Sequence, residues 1–325
     1  MRGPETLYVE PTNRCNLRCT TCPRTYFSQE PSRDMSLDEF GHILSQVPDA
    51  KRVVLHGLGE PLLHPDIHQF VERASSQADK VLFNTNGLLL TEGLAEKLIN
   101  AGLDELRISV DMPLEELYPE VRPGGSLGRI WDGVKAVNRV KTLAGSRKPA
   151  VSFWMTEGRE RIGHLEQLIR EAARLDVGEV YLQRLILMDA GDAVKSKSVY
   201  RNLEPSESAM LRQAEATART LGVKLWGSGD ADPVVRDEEE GAARPWQKCT
   251  RPFNAAYVSV HGTMLPCCLS PFTAAGKLDD CILGNIFEQS FEAIWSGPVY
   301  QEFRRRFASD EPPVSCAGCG TQWSL

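Results

Sequence analysis

The stretch TLYVEPTNRCNLRCTTCPR, residues 6–24, joins a strand pattern to three closely spaced cysteines. Its first part, TLYVE, is the short apolar run of a buried β-strand. Cys15, Cys19 and Cys22 follow among polar residues that do not suit a hydrophobic core. A structural zinc site takes four protein ligands. Three thiols without a nearby fourth therefore indicate a metal centre with one open position, such as an iron–sulfur cluster.

Strand and helix patterns alternate from this first strand to about residue 226, in six β/α units. Ser36 with Glu39 three residues later predicts a helix start, and Gly102 predicts a helix end. Serial β/α units imply a parallel sheet with right-handed crossovers, either a barrel or a doubly wound sheet. Because every candidate functional residue follows the C-terminal end of a strand, we predict an α/β fold with a partial (β/α)6 TIM-like barrel.

The character of the sequence changes after residue 226. Residues 227–248 are rich in Gly, Pro and acidic residues, which predicts a linker. Residues 249–325 hold six of the nine cysteines, a hairpin pattern around His261 and Gly262, and the helical stretch SFEAIWSGPVYQEFRRRF. The predicted organisation is a barrel over residues 1–226, a linker over 227–248 and a small Cys-rich α+β cluster-binding domain over 249–325.

Composition limits the classes of function. The chain has 325 residues, 42% of them hydrophobic, and a net charge of -7, which gives no support for binding nucleic acid or an anionic membrane. No signal-peptide pattern and no apolar run of about 20 residues is visible, so we expect a cytoplasmic protein. In a reducing cytosol, clustered cysteines indicate metal or redox chemistry rather than disulfides.

The C-x3-C-x2-C spacing after the first strand resembles the signature of the radical S-adenosylmethionine (SAM) superfamily. The resemblance implies that Cys15, Cys19 and Cys22 hold a [4Fe–4S] cluster whose open iron binds SAM. SAM would then be cleaved to a 5′-deoxyadenosyl radical that abstracts hydrogen from the substrate, with electrons from a flavodoxin- or ferredoxin-type donor. HGLGEPLLHPDI, NTNG, RISVDMP and YPEVRPGG resemble further family motifs. The SAM contacts that they imply are Gly59, Glu60, Asn86, Ser109, Asp111 and Arg122.

One position departs from that family. Many members carry an aromatic residue just before the third cysteine, where it packs on adenine, and here Thr21 stands instead. Tyr26 and Phe27 are the alternatives for this contact.

The C-terminal cysteines resemble those of SPASM and Twitch extensions. The spacing is Cys249-x17-Cys267, a long gap, then Cys316-x2-Cys319, and GTMLPC matches the Gly-x4-Cys element of these extensions. The resemblance implies one auxiliary [4Fe–4S] cluster with these four ligands, with Cys268 competing with Cys267. Judged from the residues alone, a structural zinc knot of four cysteines is the alternative.

Four further residues are candidates for the reaction itself. Glu10 and Arg184 follow or end strands one and six, where they could act as a base or a substrate clamp, or form salt bridges at the strand edges. Cys268 and Cys281 could instead donate a hydrogen atom in a redox-neutral epimerisation. We predict two-electron oxidation of a small natural-product or cofactor precursor. The alternatives are epimerisation, peptide modification, and a non-catalytic iron–sulfur or zinc scaffold.

Overall fold

An open sheet of ten strands organises the protein. The computed structural model describes residues 3–27, 30–199, 203–227, 246, 249–317 and 319. The strands are β1 (Thr6–Val9), β2 (Arg52–Leu55), β3 (Lys80–Thr85), β4 (Glu105–Ser109), β5 (Ala150–Thr156), β6 (Glu179–Gln183), β7 (Lys224–Gly227), β8 (Ala255–Val258), β9 (Thr263–Leu265) and β10 (Gly284–Asn285). Their order is β10-β9-β8-β1-β2-β3-β4-β5-β6-β7, with β1 to β8 parallel and the last two antiparallel. Within the described ranges the edge strands do not pair with each other, so the barrel is partial.

Most of the α-helices connect successive parallel strands. They are α1 (Pro23–Tyr26), α2 (Leu37–Gln46), α3 (Ile67–Ser75), α4 (Glu92–Asn100), α5 (Tyr118–Val121), α6 (Leu127–Leu143), α7 (Arg159–Ile162), α8 (Leu165–Arg174), α9 (Pro205–Leu221), α10 (Arg251–Asn254), α11 (Ser270–Thr273), α12 (Phe291–Trp295), α13 (Pro298–Phe307) and α14 (Val314–Ala317). No helix in the described part of the chain is long and apolar enough to cross a membrane.

The two faces of the sheet bury different partners, because successive side chains of a strand point to opposite faces. Leu7 and Val9 of β1 belong to the main core with Phe40 of α2 and Phe70 of α3, whose rings stack 4.5 Å apart. Tyr8, which lies between them in sequence, packs with residues of the C-terminal segment 255–281. The helices therefore cover the outer face, and the C-terminal segment covers part of the inner face.

Local signals in the sequence predicted several boundaries correctly. The Ser36 hydroxyl accepts from the Glu39 backbone N–H at 3.2 Å, and the Glu39 carboxylate accepts from the Ser36 N–H at 2.7 Å, which completes the capping box of α2. Gly102 has φ +89°, and its N–H donates to the Ile99 carbonyl just after α4. Only glycine adopts that conformation without strain, so it ends the helix.

Other boundaries differ from the sequence predictions. The run GEVYLQRLIL, residues 178–187, predicts a sixth strand that continues to Leu187, but the strand ends at Gln183. The N–H of Leu185, two residues further on, donates to the Glu157 side chain at 3.2 Å. A seventh strand, β7, follows the sixth unit and was not predicted. The C-terminal helical stretch is two helices, because Pro298 has no N–H to continue α12 and instead begins α13.

The C-terminal segment shares the barrel's sheet. The β8–β9 hairpin is formed as predicted around Gly262, and β8 also pairs in parallel with β1. Apart from Gly227 and Trp246, the predicted linker lies outside the described residues. The division of the chain into a barrel that ends at residue 226 and a domain that begins at residue 249 stays a prediction.

Candidate active site

The three N-terminal cysteines lie on one loop between β1 and α1. The Cys22 N–H donates to the Cys19 carbonyl at 3.2 Å, and none of the three thiols is in a disulfide. Burial, followed by the nearby thiols of Cys19 and Cys15, raises the pKa of Cys22 to about 12. The thiols are therefore close enough to oppose one another's ionisation, and a metal centre that binds thiolates would relieve this opposition.

The three thiols suit a four-iron cluster as a donor set, because each thiolate ligand of such a cluster binds a separate iron. All three are free and partly exposed on the same loop. Within the described ranges no group of three His, Cys, Asp or Glu side chains is arranged to hold a single metal ion.

The GLGE turn, residues 57–60, follows β2 and packs directly on the cysteine loop, residues 10–22. The Glu60 N–H donates to the Arg14 carbonyl at 2.8 Å. A methyl group placed on Gly59 would overlap the Thr12 carbonyl oxygen, so glycine is required by close approach. After burial, the Glu60 carboxylate is the largest influence that raises the pKa of Cys15. The turn predicted to meet SAM therefore adjoins the predicted cluster ligands.

The Glu60 carboxylate is buried and held in one orientation. It accepts from the Thr85 hydroxyl at 2.6 Å, from the Asn86 N–H at 2.7 Å and from the Leu62 N–H at 3.0 Å. Burial raises its pKa, although these donors act in the opposite direction. The Asn86 side chain in turn donates to Asn16 Oδ1 at 2.8 Å. The end of β3 is thereby joined both to the GLGE turn and to the cysteine loop.

Asp111 and Arg122 form a buried ion pair beside Cys19. Arg122 Nη2 lies 2.7 Å from Asp111 Oδ2, and the other carboxylate oxygen accepts from the Thr156 N–H at 2.7 Å. Burial acts to raise the pKa of Asp111, but Arg122 and then Arg161 lower it below its usual value. Arg122 also lowers the pKa of the Cys19 thiol, which burial raises. Two guanidinium groups therefore lie near one predicted cluster ligand.

The predicted SAM contacts differ in how accessible they are. Ser109 ends β4 opposite Trp154 and is half-buried. Asp111 is 0% exposed and faces Arg122, so the ion pair occupies a position where the resemblance implies a ribose contact. Of the two aromatic alternatives for adenine, Phe27 packs on Gly276, whereas Tyr26 is 42% exposed. The Tyr26 ring packs on Gly191, so each of the two rings lies against a glycine and the choice between them stays a prediction.

Glu10 joins three parts of the fold rather than facing a cavity freely. Its carboxylate accepts from the Leu58 N–H at 2.6 Å and from the Val260 N–H at 3.2 Å, and a side chain on Gly57 would overlap it. It is 3% exposed, and burial raises its pKa. These bonds favour a role in holding the GLGE turn over the predicted role as a base. Arg184 lies near the buried carboxylate of Glu157.

Four of the C-terminal cysteines lie near one another. Burial and then the Cys267 thiol raise the pKa of Cys249 to about 11, and Cys319 adds to this effect. Burial, then Cys267 and Cys319, also raises the pKa of Cys316. All four thiols are partly exposed, and Cys319 closes a turn by donating its N–H to the Cys316 carbonyl at 3.0 Å. This is the set that the sequence assigned to the auxiliary cluster.

The two remaining cysteines have other surroundings. Cys268 is 8% exposed and lies beside the Tyr8 side chain and Arg251, within the cluster on the inner face of the sheet. Cys281 is 1% exposed and bonds to Ser315. Burial raises the pKa of both thiols. The choice between Cys267 and Cys268, which the sequence left open, therefore favours Cys267.

Several residues of the site escaped the sequence analysis. His56 follows β2 two residues after Val54, and its buried Nδ1 has no partner in the described part of the chain. Burial and then Arg107 lower the pKa of His56 to about 4, so its ring is neutral at pH 7. The position of His56 on the inner face follows from the two-residue period of a strand, so the sequence could have predicted it. Arg161 and Tyr118 lie in short helices after strand ends, and no periodic signal marks them.

Comparisons with known proteins agree with this geometry. Residues 9–143 match the model of the radical SAM superfamily, and residues 249–320 match the SPASM model, an iron–sulfur cluster-binding domain. The chain belongs to the radical SAM superfamily and carries a C-terminal SPASM domain. Radical SAM domains bind SAM and a [4Fe–4S] cluster, and SPASM domains bind auxiliary iron–sulfur clusters.

Individual relatives span most of the chain. The tungsten-containing aldehyde ferredoxin oxidoreductase cofactor-modifying protein of Pyrococcus furiosus is 26% identical, over 92% of this chain and 82% of the relative. The PqqA peptide cyclase of Granulibacter bethesdensis is 25% identical, over 97% of this chain and 79% of the relative. Among solved structures, Streptococcus suis SuiB bound to S-adenosylmethionine has a TM-score of 0.72 at 16% identity, over 93% of this chain and 68% of SuiB. That similarity concerns the fold alone.

Proposed function

We propose that this protein is a radical SAM enzyme with one auxiliary cluster. The observation that carries the proposal is the meeting of the Cys15, Cys19 and Cys22 loop with the GLGE turn and the Asp111–Arg122 pair at the C-terminal ends of the strands. In a parallel barrel this end is where active sites lie. When bound, the cluster and SAM would together supply a 5′-deoxyadenosyl radical for hydrogen abstraction.

Each motif residue has a proposed part in binding SAM. The Gly59 backbone and the Glu60 carboxylate would meet the methionine amino group, because both lie against the cysteine loop. The Asn86 backbone N–H would hold the Glu60 carboxylate of that turn in place beside the cofactor. Ser109 would contact the ribose, and Asp111 would orient Arg122 beside Cys19 rather than touch the ribose itself.

We propose that the auxiliary cluster is held by Cys249, Cys267, Cys316 and Cys319. The effects of Cys267 and Cys319 on the thiol pKa of Cys249 and of Cys316 support this set, and the burial of Cys268 beside Tyr8 argues against its use. Four protein ligands saturate a cubane cluster, so such a cluster would exchange electrons without binding the substrate directly.

The reaction that we propose is two-electron oxidation of a small natural-product or cofactor precursor, with reducing equivalents for SAM cleavage from a flavodoxin- or ferredoxin-type donor. A relative named as a cofactor-modifying protein supports a small substrate, and the relative named as a peptide cyclase makes a peptide the second candidate. Epimerisation by a cysteine hydrogen donor has less support, because Cys281 is buried against Ser315 and Cys268 lies beside Tyr8.

Iron content and SAM cleavage test the class of protein. Anaerobically reconstituted protein should hold about eight irons per chain, as expected for two cubane clusters. With SAM and a low-potential reductant it should form 5′-deoxyadenosine and methionine, measured by chromatography. Clusters without SAM cleavage would identify a non-catalytic scaffold, and about four irons with one zinc would identify a zinc knot at the C-terminal site.

Adjacent cysteines provide a matched pair for the auxiliary site. Cys267→Ala should lower the iron content to about half, because one cubane cluster of two loses a ligand. Cys268→Ala should keep the full iron content, since this thiol contacts Tyr8 instead. The measurement is iron per folded chain with circular dichroism as the control for folding. The reverse result would assign Cys268 as the ligand.

Solvent isotope distinguishes oxidation from epimerisation once a substrate is found. We expect a product lighter by two hydrogens, formed equally well by Cys268→Ala and Cys281→Ala protein. Mass spectrometry of the reaction in deuterium oxide provides the measurement. Solvent deuterium on the reacting carbon, with activity lost in either variant, would instead establish a cysteine hydrogen donor.

A further inference from the structure

Polar side chains at the C-terminal ends of β2 to β6 have no side-chain hydrogen bond within the described part of the chain. There is one from each of these consecutive parallel strands: His56, Asn84, Ser109, Thr156 and Gln183. Each side chain is partly exposed. Of their polar atoms only the His56 Nδ1 is fully buried, so the others border accessible space. We call these five residues the inner wall.

The members of the inner wall share one face of the sheet. The residue just before each of them belongs to the main core under the helices: Leu55, Phe83, Ile108, Met155 and Leu182. Because successive side chains of a strand point to opposite faces, the five polar side chains point to the inner face. Thr156 and Gln183 are register partners on β5 and β6. The polar groups therefore form one continuous surface across neighbouring strands.

The C-terminal segment covers the inner face only below this wall. Val54 and Leu82 precede His56 and Asn84 by two residues and belong with Leu269 to the apolar cluster of the inner face. Two residues of a strand span about 7 Å. The apolar cluster is therefore the floor, and the unpartnered polar groups lie above it toward the C-terminal ends of the strands.

The inner wall adjoins the proposed SAM site. His56 immediately precedes the GLGE turn, and Thr85, the neighbour of Asn84, donates its hydroxyl to the Glu60 carboxylate at 2.6 Å. The Thr156 N–H donates to Asp111 at 2.7 Å. A molecule bound against the wall would therefore lie beside the SAM site, as hydrogen abstraction requires.

The chemistry of the wall is neutral, and its groups both donate and accept hydrogen bonds. Asn84 and Gln183 are amides, and Ser109 and Thr156 are hydroxyls. Burial and then Arg107 lower the pKa of His56 to about 4, so its imidazole is uncharged at pH 7. Substrate hydroxyl groups also donate and accept. An apolar substrate would instead leave the wall unpaired, at about 1–3 kcal/mol for each group.

The charged groups around the wall already have partners. Arg107, the register partner of Asn84, is 5% exposed, donates to Glu105 at 2.8 Å and lies 4.6 Å from the centre of the Trp154 ring. The Glu60 carboxylate accepts three hydrogen bonds. The site therefore favours an uncharged ligand over a carboxylate, a phosphate or an ammonium group.

We propose that the inner wall binds the substrate, and that the substrate is a small uncharged molecule rich in hydroxyl groups, such as a sugar or a cyclitol. His56, Asn84, Thr156 and Gln183 would each pair with a substrate hydroxyl, whereas Ser109 is left to the ribose of SAM. The inference rests on the proposed function, because the bound molecule has to lose a hydrogen atom to the radical formed from SAM.

Deuterium transfer tests the substrate class on the reconstituted holoprotein with SAM and a low-potential reductant. The probes are myo-inositol and D-glucose deuterated at carbon, with hexanoate and trialanine deuterated at carbon as the anionic and peptide comparisons. Abstraction breaks a C–D bond of the probe and forms a C–D bond at C5′ of the radical. Mass spectrometry should therefore show deuterium in 5′-deoxyadenosine with a hydroxylated probe and not with hexanoate or trialanine.

Asn84→Leu and Gln183→Leu test the wall itself, because leucine has a similar size and no polar atom. Each should lower the deuterated share of 5′-deoxyadenosine by about fivefold or more, since a substrate hydroxyl loses its partner. Gln289→Leu, at an exposed position after β10, is the matched control and should keep the wild-type share. Iron content and circular dichroism verify that each variant is folded and loaded.

The outcomes separate this inference from the proposed function. Unlabelled 5′-deoxyadenosine with every probe, or label only from hexanoate or trialanine, would overturn the hydroxyl-rich substrate. A wild-type deuterated share in both Asn84→Leu and Gln183→Leu would overturn the assignment of the wall. Wild-type protein that forms no 5′-deoxyadenosine at all would instead overturn the proposed function.

Discussion

Joint replacement of Cys15, Cys19 and Cys22 by alanine is expected to reduce SAM cleavage to background. The three thiols are the only cysteines on the loop that meets the GLGE turn, and cluster ligands must be thiolates. No other described side chain on this loop can replace them as a soft metal ligand. 5′-Deoxyadenosine formed per chain, measured under anaerobic reduction, provides the readout, with iron falling from about eight to about four per chain.

The matched control removes the other pair of cysteines. Cys316→Ala with Cys319→Ala should leave SAM cleavage measurable, because these thiols lie at the C-terminal set and contact neither the cysteine loop nor the GLGE turn in the described bonds. Turnover of substrate should be lost in this variant. SAM cleavage that survives the triple replacement would show that the N-terminal loop does not carry the chemistry.

Gly59→Ala is expected to weaken SAM binding by at least about tenfold, which corresponds to about 1.4 kcal/mol. The added methyl would overlap the Thr12 carbonyl oxygen, a backbone atom that cannot rotate away. Either the GLGE turn or the cysteine loop has to move, and both are proposed to touch the cofactor. Overpacking of this kind also costs about 1–3 kcal/mol of unfolding free energy.

Gly93→Ala is the control for this substitution. Gly93 lies inside α4 with no atom within 4 Å of an added methyl group. Alanine there should raise the free energy of unfolding by about 0.5–1 kcal/mol and leave SAM affinity unchanged. Calorimetric titration of reconstituted protein with SAM compares the two variants. Equal SAM affinity in Gly59→Ala and wild-type protein would remove the GLGE turn from the binding site.

Much of the barrel could be predicted because its signals are local. Ser36 and Glu39 are three residues apart, and the helix start that they predict depends on nothing distant. β7 escaped because four residues with two apolar side chains, KLWG, carry no distinct period. The pairing of β8 with β1 also escaped, since two strands separated by about 250 residues meet only through the whole fold.

The residues of the candidate site also form two groups: those that a short stretch of sequence predicts, and those that depend on the whole fold. The C-x3-C-x2-C and GLGE motifs lie in short segments, so their residues were found from the sequence. A choice between Cys267 and Cys268 as the ligand depends on which of the two side chains turns toward Cys249, and alternation along one chain cannot decide this.

The pairing of β8 with β1 has a consequence for how the protein is made. The first strand leaves the ribosome early, but one of its two neighbours follows about 250 residues later, together with the Val260 N–H that binds Glu10. Until then the nascent chain exposes a row of unpaired N–H and C=O groups on β1, next to the cysteine loop. The β1 edge and the Glu10 carboxylate therefore complete their bonding only after nearly all of the barrel strands have been made.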